Sequence, residues 1–284
     1  MRIGTLQTDR GPRTVALRDG RLVELEGGVN ELLAGGREAL ERAFDAGRTE
    51  HDLDESRLAP AVPNPGKILC VGRNYADHAA ETGHAVSVKP EIFLRARTSL
   101  LAPFAPVLVP RVSDTLDFEV ELAVVIGRGG RYISAARALD HVGGYAVFND
   151  FSVREYQTRN SQWIPGKNFD GSGPLGPFVV TPDEVPDPFD LDLDLKIQSP
   201  AGDQETMQSS NTSLMVHRIP DVIAFLSEWT TLEPGDVIAT GTPSGVGLGR
   251  KPERWLRPGE TVFTTVEGVG TLKNQVLEEA EASS

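Results

Sequence analysis

The chain has 284 residues, of which 39% are apolar and 24% are charged, ordinary proportions that argue against disorder of the whole chain. The 28 Lys and Arg residues against 41 Asp and Glu residues give a net charge of −13 with no compensating basic block, so nucleic acid and anionic membranes are poor candidates for a partner. The single cysteine, Cys70, excludes an intrachain disulfide and a CxxC zinc or redox site, and its apolar surroundings predict a buried strand thiol.

The N-terminal residues lack the apolar stretch of a secretory signal. Nowhere does an apolar run approach the roughly 20 residues that span a bilayer. We therefore expect a cytoplasmic protein that does not enter a membrane.

The first segment alternates apolar and polar residues over 14–18 and 21–25, with the turn dipeptide Asp19-Gly20 between them. This pattern predicts a β-hairpin. Apolar residues then recur at spacings of three and four over 30–46, which predicts a helix with one buried face. Residues 59–66 contain three prolines and are expected to be an extended linker. We accordingly place a small N-terminal α+β domain over residues 1–62.

From residue 67 onward, short apolar runs separated by Gly and Pro indicate a strand-rich α+β domain, which we place over residues 63–278. The predicted strands are 67–71, 91–94, 119–126, 143–148, 191–197, 236–239 and 261–266. A helix is predicted over 218–229, where the apolar spacing ends before Pro234-Gly235. Residues 279–284 are expected to be a polar tail.

The most informative segment for function is Asp117-Phe-Glu-Val-Glu-Leu-Ala-Val-Val-Ile-Gly127. Side chains alternate along a strand, so Asp117, Glu119 and Glu121 are expected on one face. Beyond Glu121 both faces are apolar, which predicts a strand buried on both sides. No Lys or Arg occurs between Arg111 and Arg128 to balance the acids.

Adjacent carboxylates that enter a core repel one another, and they favour a cation between them. Oxygen ligands suit Mg²⁺, Mn²⁺ or Ca²⁺ better than zinc or copper. The segment therefore predicts a metal site. The alternative is an acidic edge strand that faces solvent.

A second segment, Gly72 to Glu81, follows the strand that contains Cys70. If it turns into a helix, His78 and Glu81 share a face, and the carboxylate can orient the imidazole as a general base. The alternative is an ordinary surface helix with a salt-bridged pair. Arg73 and Tyr75, from the same segment, are candidates for substrate binding.

Asp150 follows another apolar run and stands where a strand is expected to give way to a helix, a position at which it could simply cap that helix. Arg154 and Gln157 are three residues apart and suit a substrate carboxylate or carbonyl. Lys167 lies in a loop rich in Gly and Pro, which favours a positioned cation over a solvated one. Thr242 lies in a loop of small residues whose N–H groups could bind an anion.

Together and in this order, these segments resemble the fumarylacetoacetate hydrolase family over about residues 66–276. The resemblance implies that Glu119, Glu121 and Asp150 bind Mg²⁺ or Mn²⁺ and that His78 and Glu81 form a dyad on a short lid helix. It also matches Arg154, Gln157, Lys167 and Thr242 to family positions. Asp117 matches no family ligand, and we place it behind the ligands. Arg95 stands where relatives commonly show a lysine, and we assign it no role.

The resemblance further implies a mixed β-roll catalytic domain, sometimes preceded by a small N-terminal domain and usually assembled as a homodimer. Its expected substrates are small 2-oxo acids, including intermediates of aromatic catabolism. We expect hydrolysis of the carbon–carbon bond of an acylpyruvate through an enolate stabilised by the metal. Oxaloacetate decarboxylation and isomerisation of a hydroxymuconate-type diacid use the same chemistry and stay open. An inactive metal-binding scaffold is the alternative of another class.

Overall fold

The computed structural model describes residues 1–280. Residues 281–284, most of the expected polar tail, lie outside the described residues. None of the helices within residues 1–280 combines the length and the apolar character needed to cross a bilayer.

The described residues form nineteen strands and six α-helices. The strands are β1 (Arg2–Thr8), β2 (Gly11–Arg18), β3 (Arg21–Glu24), β4 (Glu50–Asp52), β5 (Leu58–Ala59), β6 (Ile68–Gly72), β7 (Glu91–Arg95), β8 (Leu100–Leu101), β9 (Val107–Val109), β10 (Leu116–Asp117), β11 (Val120–Ile126), β12 (Val142–Asn149), β13 (Ser152–Val153), β14 (Gly173–Val180), β15 (Asp192–Gln198), β16 (Gln204–Asn211), β17 (Val237–Ala239), β18 (Thr261–Val266) and β19 (Gly270–Glu278). The helices are α1 (Val29–Ala34), α2 (Gly36–Ala46), α3 (Ala76–Glu81), α4 (Arg154–Gln157), α5 (Ile164–Lys167) and α6 (Ile219–Trp229).

Two mixed sheets organise these elements, as the α+β, strand-rich prediction requires. The larger has the strand order β4-β3-β2-β1-β14-β12-β11-β17-β6-β7, with β5 on β1 and β8 on β14. The second has the order β16-β15-β18-β19-β9, and β10 pairs with β13 in a separate short ladder. Most pairs are antiparallel, but three are parallel: β17 with β6, β14 with β8, and β19 with β9.

The main core lies where one face of β11 and β12 meets the second sheet and α6. Leu122 and Val147 of the large sheet belong to the same buried cluster as Leu195 of β15 and Ile223 of α6. The opposite face of β11 and β12 packs against β6 and the N-terminal helices in a second cluster. Every residue of β11 is buried, which confirms the prediction of a strand covered on both sides.

The N-terminal strands continue the large sheet, because β1 pairs with both β2 and β14. Leu32 and Leu33 of α1 share a core cluster with Val125 of β11. The two parts of the chain thus share one sheet and one core, and the domain boundary after residue 62 stays a prediction.

The predicted strands and the helix over 218–229 are confirmed to within about two residues at each end. The prediction of one helix over 30–46 was wrong in its continuity, because the chain forms α1 and α2 with a break at Gly35-Gly36. Glycine is among the residues least favourable to a helix interior. The apolar residues keep their spacing of three and four across the glycine pair, and this spacing therefore did not predict the break.

Candidate active site

Three carboxylates from two neighbouring strands converge at one end of the main core. Glu121 lies in β11, Glu119 directly precedes it, and Asp150 directly follows β12. The antiparallel register pairs Val120 with Asn149, and the Asp150 N–H donates to the Glu119 carbonyl at 3.0 Å. All three side chains are buried, and each offers one oxygen within 4.8 Å of the others. We call these residues the acidic triad.

Three buried cations contact two of these acids. Lys167 Nζ lies 2.8 Å from Glu119 Oε2 and 2.6 Å from Asp150 Oδ2. Arg154 Nη1 lies 2.7 Å from Glu119 Oε1, and Arg95 Nη1 donates to Asp150 Oδ1. Lys167 is therefore a positioned buried cation and not a solvated one.

Glu121 is the exception, because no cation of the described residues lies within ion-pair distance of its carboxylate. Burial, with Asp150 and Glu119 nearby, raises the pKa of Glu121 well above its ordinary value. Burial also penalises the charge of Glu119, but Lys167 and Arg154 outweigh that penalty and lower its pKa to about 2. The triad thus combines two compensated carboxylates with one that lacks a counter-charge.

This charge pattern fits a divalent cation. With Asp117 included, four buried acids face three buried bases, so one negative charge is left over. The donors are carboxylate oxygens, which hard cations such as Mg²⁺ and Mn²⁺ prefer. The acidic triad is therefore a group that could hold a divalent metal.

The neutral contact to Glu121 comes from Gly241, whose N–H donates to Glu121 Oε2 at 2.8 Å. Gly241 has a φ of +98°, and a Cβ there would lie 2.7 Å from Asn74 Cβ and 2.9 Å from the Val71 carbonyl oxygen. Only glycine fits this backbone without displacing its neighbours. The small residue at this position thus allows the loop to approach Glu121.

His78 and Glu81, the dyad that the family resemblance implies, contact each other on one face of a helix, as their spacing predicted. Both lie in α3, and His78 Nδ1 is 2.9 Å from Glu81 Oε1. The Gly245 N–H donates to the other Glu81 oxygen at 2.9 Å. Because Glu81 engages Nδ1, Nε2 is the ring nitrogen that His78 keeps for a ligand.

A cleft of about 260 Å³ connects these groups. The acidic triad lines it together with six other site residues predicted from the sequence: Arg73, His78, Arg154, Gln157, Lys167 and Thr242. Glu81 does not line the cleft but contacts His78, which does. Tyr75 does not line the cleft. It is completely buried, burial raises its pKa, and its hydroxyl has no hydrogen-bond partner within residues 1–280. Its role in substrate binding stays a prediction.

Arg154 has one donor to spare. Its Nε donates to Asp117 Oδ2 at 2.7 Å and its Nη1 to Gln157 Oε1 at 2.8 Å, but its buried Nη2 has no partner in the described part of the chain. Since Arg154 lines the cleft, this donor suits a bound anion. Asp117 contacts Arg154 and is not a member of the triad.

The loop at 241–248 does bind anions through its N–H groups, but these anions belong to the protein. Gly241 donates to Glu121, Gly245 to Glu81, and Gly247 and Leu248 to Asp117 at 2.7 and 3.0 Å. Sequence reasoning identified the donors and missed their partners, which come from distant segments.

Arg95 and Gln208 are two buried residues at the site to which sequence reasoning gave no role. Arg95 is buried and contacts Asp150, Ser99 and Ser172. Gln208 accepts from the N–H of Val120 and donates to Thr242 Oγ1, both at 2.9 Å. Neither residue lies in a local motif. For Arg95 the available signal was a charged residue within an apolar strand.

The chain resembles known proteins over most of its length. The model of the fumarylacetoacetate hydrolase C-terminal domain matches residues 67–277. A protein of Burkholderia lata that is named a hydrolase, without a stated substrate, is 45% identical over 258 residues, 89% of this chain and 90% of its own. The mitochondrial oxaloacetate tautomerase of Rattus norvegicus is 42% identical over 221 residues, 78% of this chain and 69% of its own.

A solved structure is also similar to this chain over almost its whole length. The 5-carboxymethyl-2-hydroxymuconate delta-isomerase of Mycobacterium smegmatis superposes with a TM-score of 0.79 at 33% identity, covering 98% of this chain and 100% of that one. The matched domain contains the acidic triad, the dyad and Lys167. This chain belongs to the fumarylacetoacetate hydrolase family.

Proposed function

We propose that this chain is a Mg²⁺- or Mn²⁺-dependent hydrolase that cleaves the carbon–carbon bond of an acylpyruvate, a 2,4-dioxo acid. One observation supports this above others: His78, oriented by Glu81, faces the same cleft as the acidic triad. A base and a group of metal-binding carboxylates on one cleft suit attack of water on a substrate held nearby.

A divalent cation held by Glu119, Glu121 and Asp150 would polarise the 2-oxo group and stabilise negative charge on its oxygen. The free Nη2 of Arg154 would bind the substrate carboxylate. Burial alone would lower the pKa of Lys167, but Asp150 and Glu119 outweigh it and keep the pKa above its ordinary value. Lys167 therefore stays charged and would stabilise the developing anion.

In the proposed reaction, His78 Nε2 accepts a proton from water as the water oxygen bonds to C4 of the substrate. The C3–C4 bond then breaks, and its electron pair moves to C3, which gives the enolate of pyruvate and a carboxylic acid. The proton held by His78 returns to C3, which forms pyruvate. One water molecule is consumed: its hydroxyl group ends on the carboxylic acid and its proton on C3 of pyruvate.

Oxaloacetate tautomerisation is the second candidate, because a relative 42% identical to this chain carries that name. It moves a proton between C3 and the 2-oxo oxygen, so it needs the same enolate stabilisation without attack by water. Oxaloacetate decarboxylation and isomerisation of a hydroxymuconate-type diacid, the activity named for the solved relative at 33% identity, also pass through an enolate. The chain has the metal-binding carboxylates, the histidine base and the lysine at the positions that match the family, and this argues against an inactive scaffold.

A substrate panel tests the proposal. Acetylpyruvate, fumarylpyruvate, oxaloacetate and a hydroxymuconate-type diacid are compared by kcat/KM with Mg²⁺, with Mn²⁺ and with EDTA. We expect metal-dependent cleavage of an acylpyruvate to have the highest value. A higher value for oxaloacetate tautomerisation would replace the proposal with the second candidate.

A further inference from the structure

A second cavity adjoins the cleft. It has a volume of about 440 Å³ and shares four wall residues with the cleft, namely Arg73, His84, Phe93 and Trp163. We call this cavity the outer pocket. A substrate whose 2-oxo acid end lies at the acidic triad can extend into it past these four side chains.

Two aromatic rings separate the cleft from the outer pocket. Phe93 and Trp163 pack edge to face, with ring centroids 5.7 Å apart and an interplanar angle of 71°. Gly72 lets Trp163 approach closely, because a Cβ at Gly72 would lie 2.3 Å from the indole ring. Phe93 also lies 5.2 Å below Lys167 Nζ, which places the ring directly beside the triad. The exit from the cleft is therefore lined by two packed aromatic rings.

The one arginine of the outer pocket is already paired. Arg73 Nε donates to Glu91 Oε2 at 2.8 Å, and Arg73 Nη2 contacts the same oxygen. The guanidinium also lies 5.0 Å from the centroid of Trp163. Arg73 and Glu91 together contribute no net charge, so this pair offers no free cation to a second carboxylate that entered here.

From these walls we infer that the outer pocket is the subsite for the substrate tail, and that it selects an uncharged aromatic or aliphatic tail over one that ends in a carboxylate. This inference rests on the proposed binding of a 2-oxo acid at the triad. It narrows the substrate class to monoanionic acylpyruvates, and it disfavours the long diacids among the alternatives.

Binding of 2-oxo acids that cannot be cleaved tests the inference without relying on catalysis. Pyruvate, 2-oxo-4-phenylbutanoate, 2-oxohexanoate and 2-oxoadipate are titrated calorimetrically into the full-length protein with Mg²⁺ present. We expect the phenyl and butyl tails to bind at least about tenfold more tightly than 2-oxoadipate. Equal or tighter binding of 2-oxoadipate would overturn the inference.

Two variants, each with a control, test the two properties of the outer pocket: its affinity for an apolar tail and its lack of affinity for a charged one. Trp163→Ala is expected to remove the tighter binding of the phenyl tail and to leave pyruvate binding unchanged. The control is Trp229→Ala, at an exposed tryptophan outside both cavities, which is expected to leave the binding of both acids unchanged.

Glu91→Gln frees Arg73 and is expected to strengthen 2-oxoadipate binding at least threefold, which is the usual size of a charge–charge effect at a partly exposed site. Glu155→Gln, which removes the similarly paired partner of Arg159, is the control. If Trp163→Ala does not fold, the Glu91→Gln result decides, and no gain for 2-oxoadipate contradicts the inference.

The same titrations separate this inference from the proposed function. If no 2-oxo acid binds, including pyruvate, both fail. If the tail preference holds but no acylpyruvate is cleaved, the outer pocket keeps its assignment and the hydrolase reaction is wrong.

Discussion

Arg154 lies between a carboxylate of the acidic triad and one behind it: its Nε is 2.7 Å from Asp117 Oδ2, and its Nη1 is 2.7 Å from Glu119 Oε1. Asp117 also accepts N–H groups from Phe118, Gly247 and Leu248. It therefore fixes the arginine and the neighbouring loop together.

Asp117→Asn is expected to lower the free energy of unfolding by about 3 kcal/mol, because an amide cannot accept this set of donors and the buried Arg154 guanidinium loses one of its two counter-charges. Urea denaturation measures the change. Asp140→Asn removes an exposed partner of Arg137 and is expected to leave the free energy of unfolding unchanged, because solvent screens this ion pair. A loss below about 1 kcal/mol for Asp117→Asn would show that Asp117 does not hold Arg154.

Glu121→Gln and Glu119→Gln are expected to affect the metal-free protein in opposite directions. The raised pKa of Glu121 means that its charge costs stability as pH rises above the ordinary carboxyl value. Glu121→Gln is therefore expected to raise Tm at neutral pH, by about 2–4 °C for each 1 kcal/mol gained. Glu119, with its pKa lowered to about 2, adds stability above its ordinary value of 4.5 that is lost as pH falls towards 2. Glu119→Gln is expected to lower Tm.

Both variants are expected to weaken Mn²⁺ binding by at least about tenfold, since each removes one carboxylate ligand. Thermal denaturation with EDTA and calorimetric titration with Mn²⁺ measure the two effects on the same samples. Unchanged Mn²⁺ affinity in both variants would refute the metal assignment, and a lower Tm for Glu121→Gln would refute the charge balance.

Mn²⁺ binding is expected to release a proton from Glu121. Because a protonated carboxyl must lose its proton to become a ligand, the apparent Kd weakens by up to about tenfold per pH unit as pH falls below the raised pKa of Glu121. Titrations at several pH values from about 5 to 8, each in two buffers of different ionisation enthalpy, report the number of protons released. Identical heats in the two buffers would contradict this expectation.

His78→Asn is expected to lower kcat for acylpyruvate cleavage by about 10²–10⁴-fold, the usual contribution of a general base. Mn²⁺ affinity is expected to stay within about threefold of wild type, because His78 is not a member of the triad. His51 forms a second histidine–glutamate pair, with Nε2 2.8 Å from Glu24 Oε1, and His51→Asn is the matched control. Full activity of His78→Asn would remove the base from the mechanism.

Local patterns predicted nine of the nineteen strands that the structure describes, and part of the site. The two-residue period of a strand was enough to place Glu119 and Glu121 together, and the helical period was enough for His78 and Glu81. Asp150 is a different case, because its contact with Glu119 depends on the register of β11 and β12, which no local pattern specifies. The family resemblance, and not spacing, brought it into the triad.

Arg95 shows the limit of local patterns more clearly. It lies 55 residues before Asp150 in the chain, and it reaches that carboxylate because β7 lies on the large sheet at the edge next to β6. Ion pairs of this kind depend on the tertiary arrangement alone. The homodimer expected from the resemblance stays a prediction, as does a cytoplasmic location.

The loop at 241–248 has a consequence for how sequences of this kind can diverge. Its N–H groups hold Glu81, Glu121 and Asp117, which come from a helix, a strand and the strand before it. A one-residue insertion in the loop would misplace the base, a metal ligand and the support of Arg154 in a single event. We therefore expect natural relatives with different substrates to keep the length of this loop and to vary at position 163, where a change alters the binding of the substrate tail.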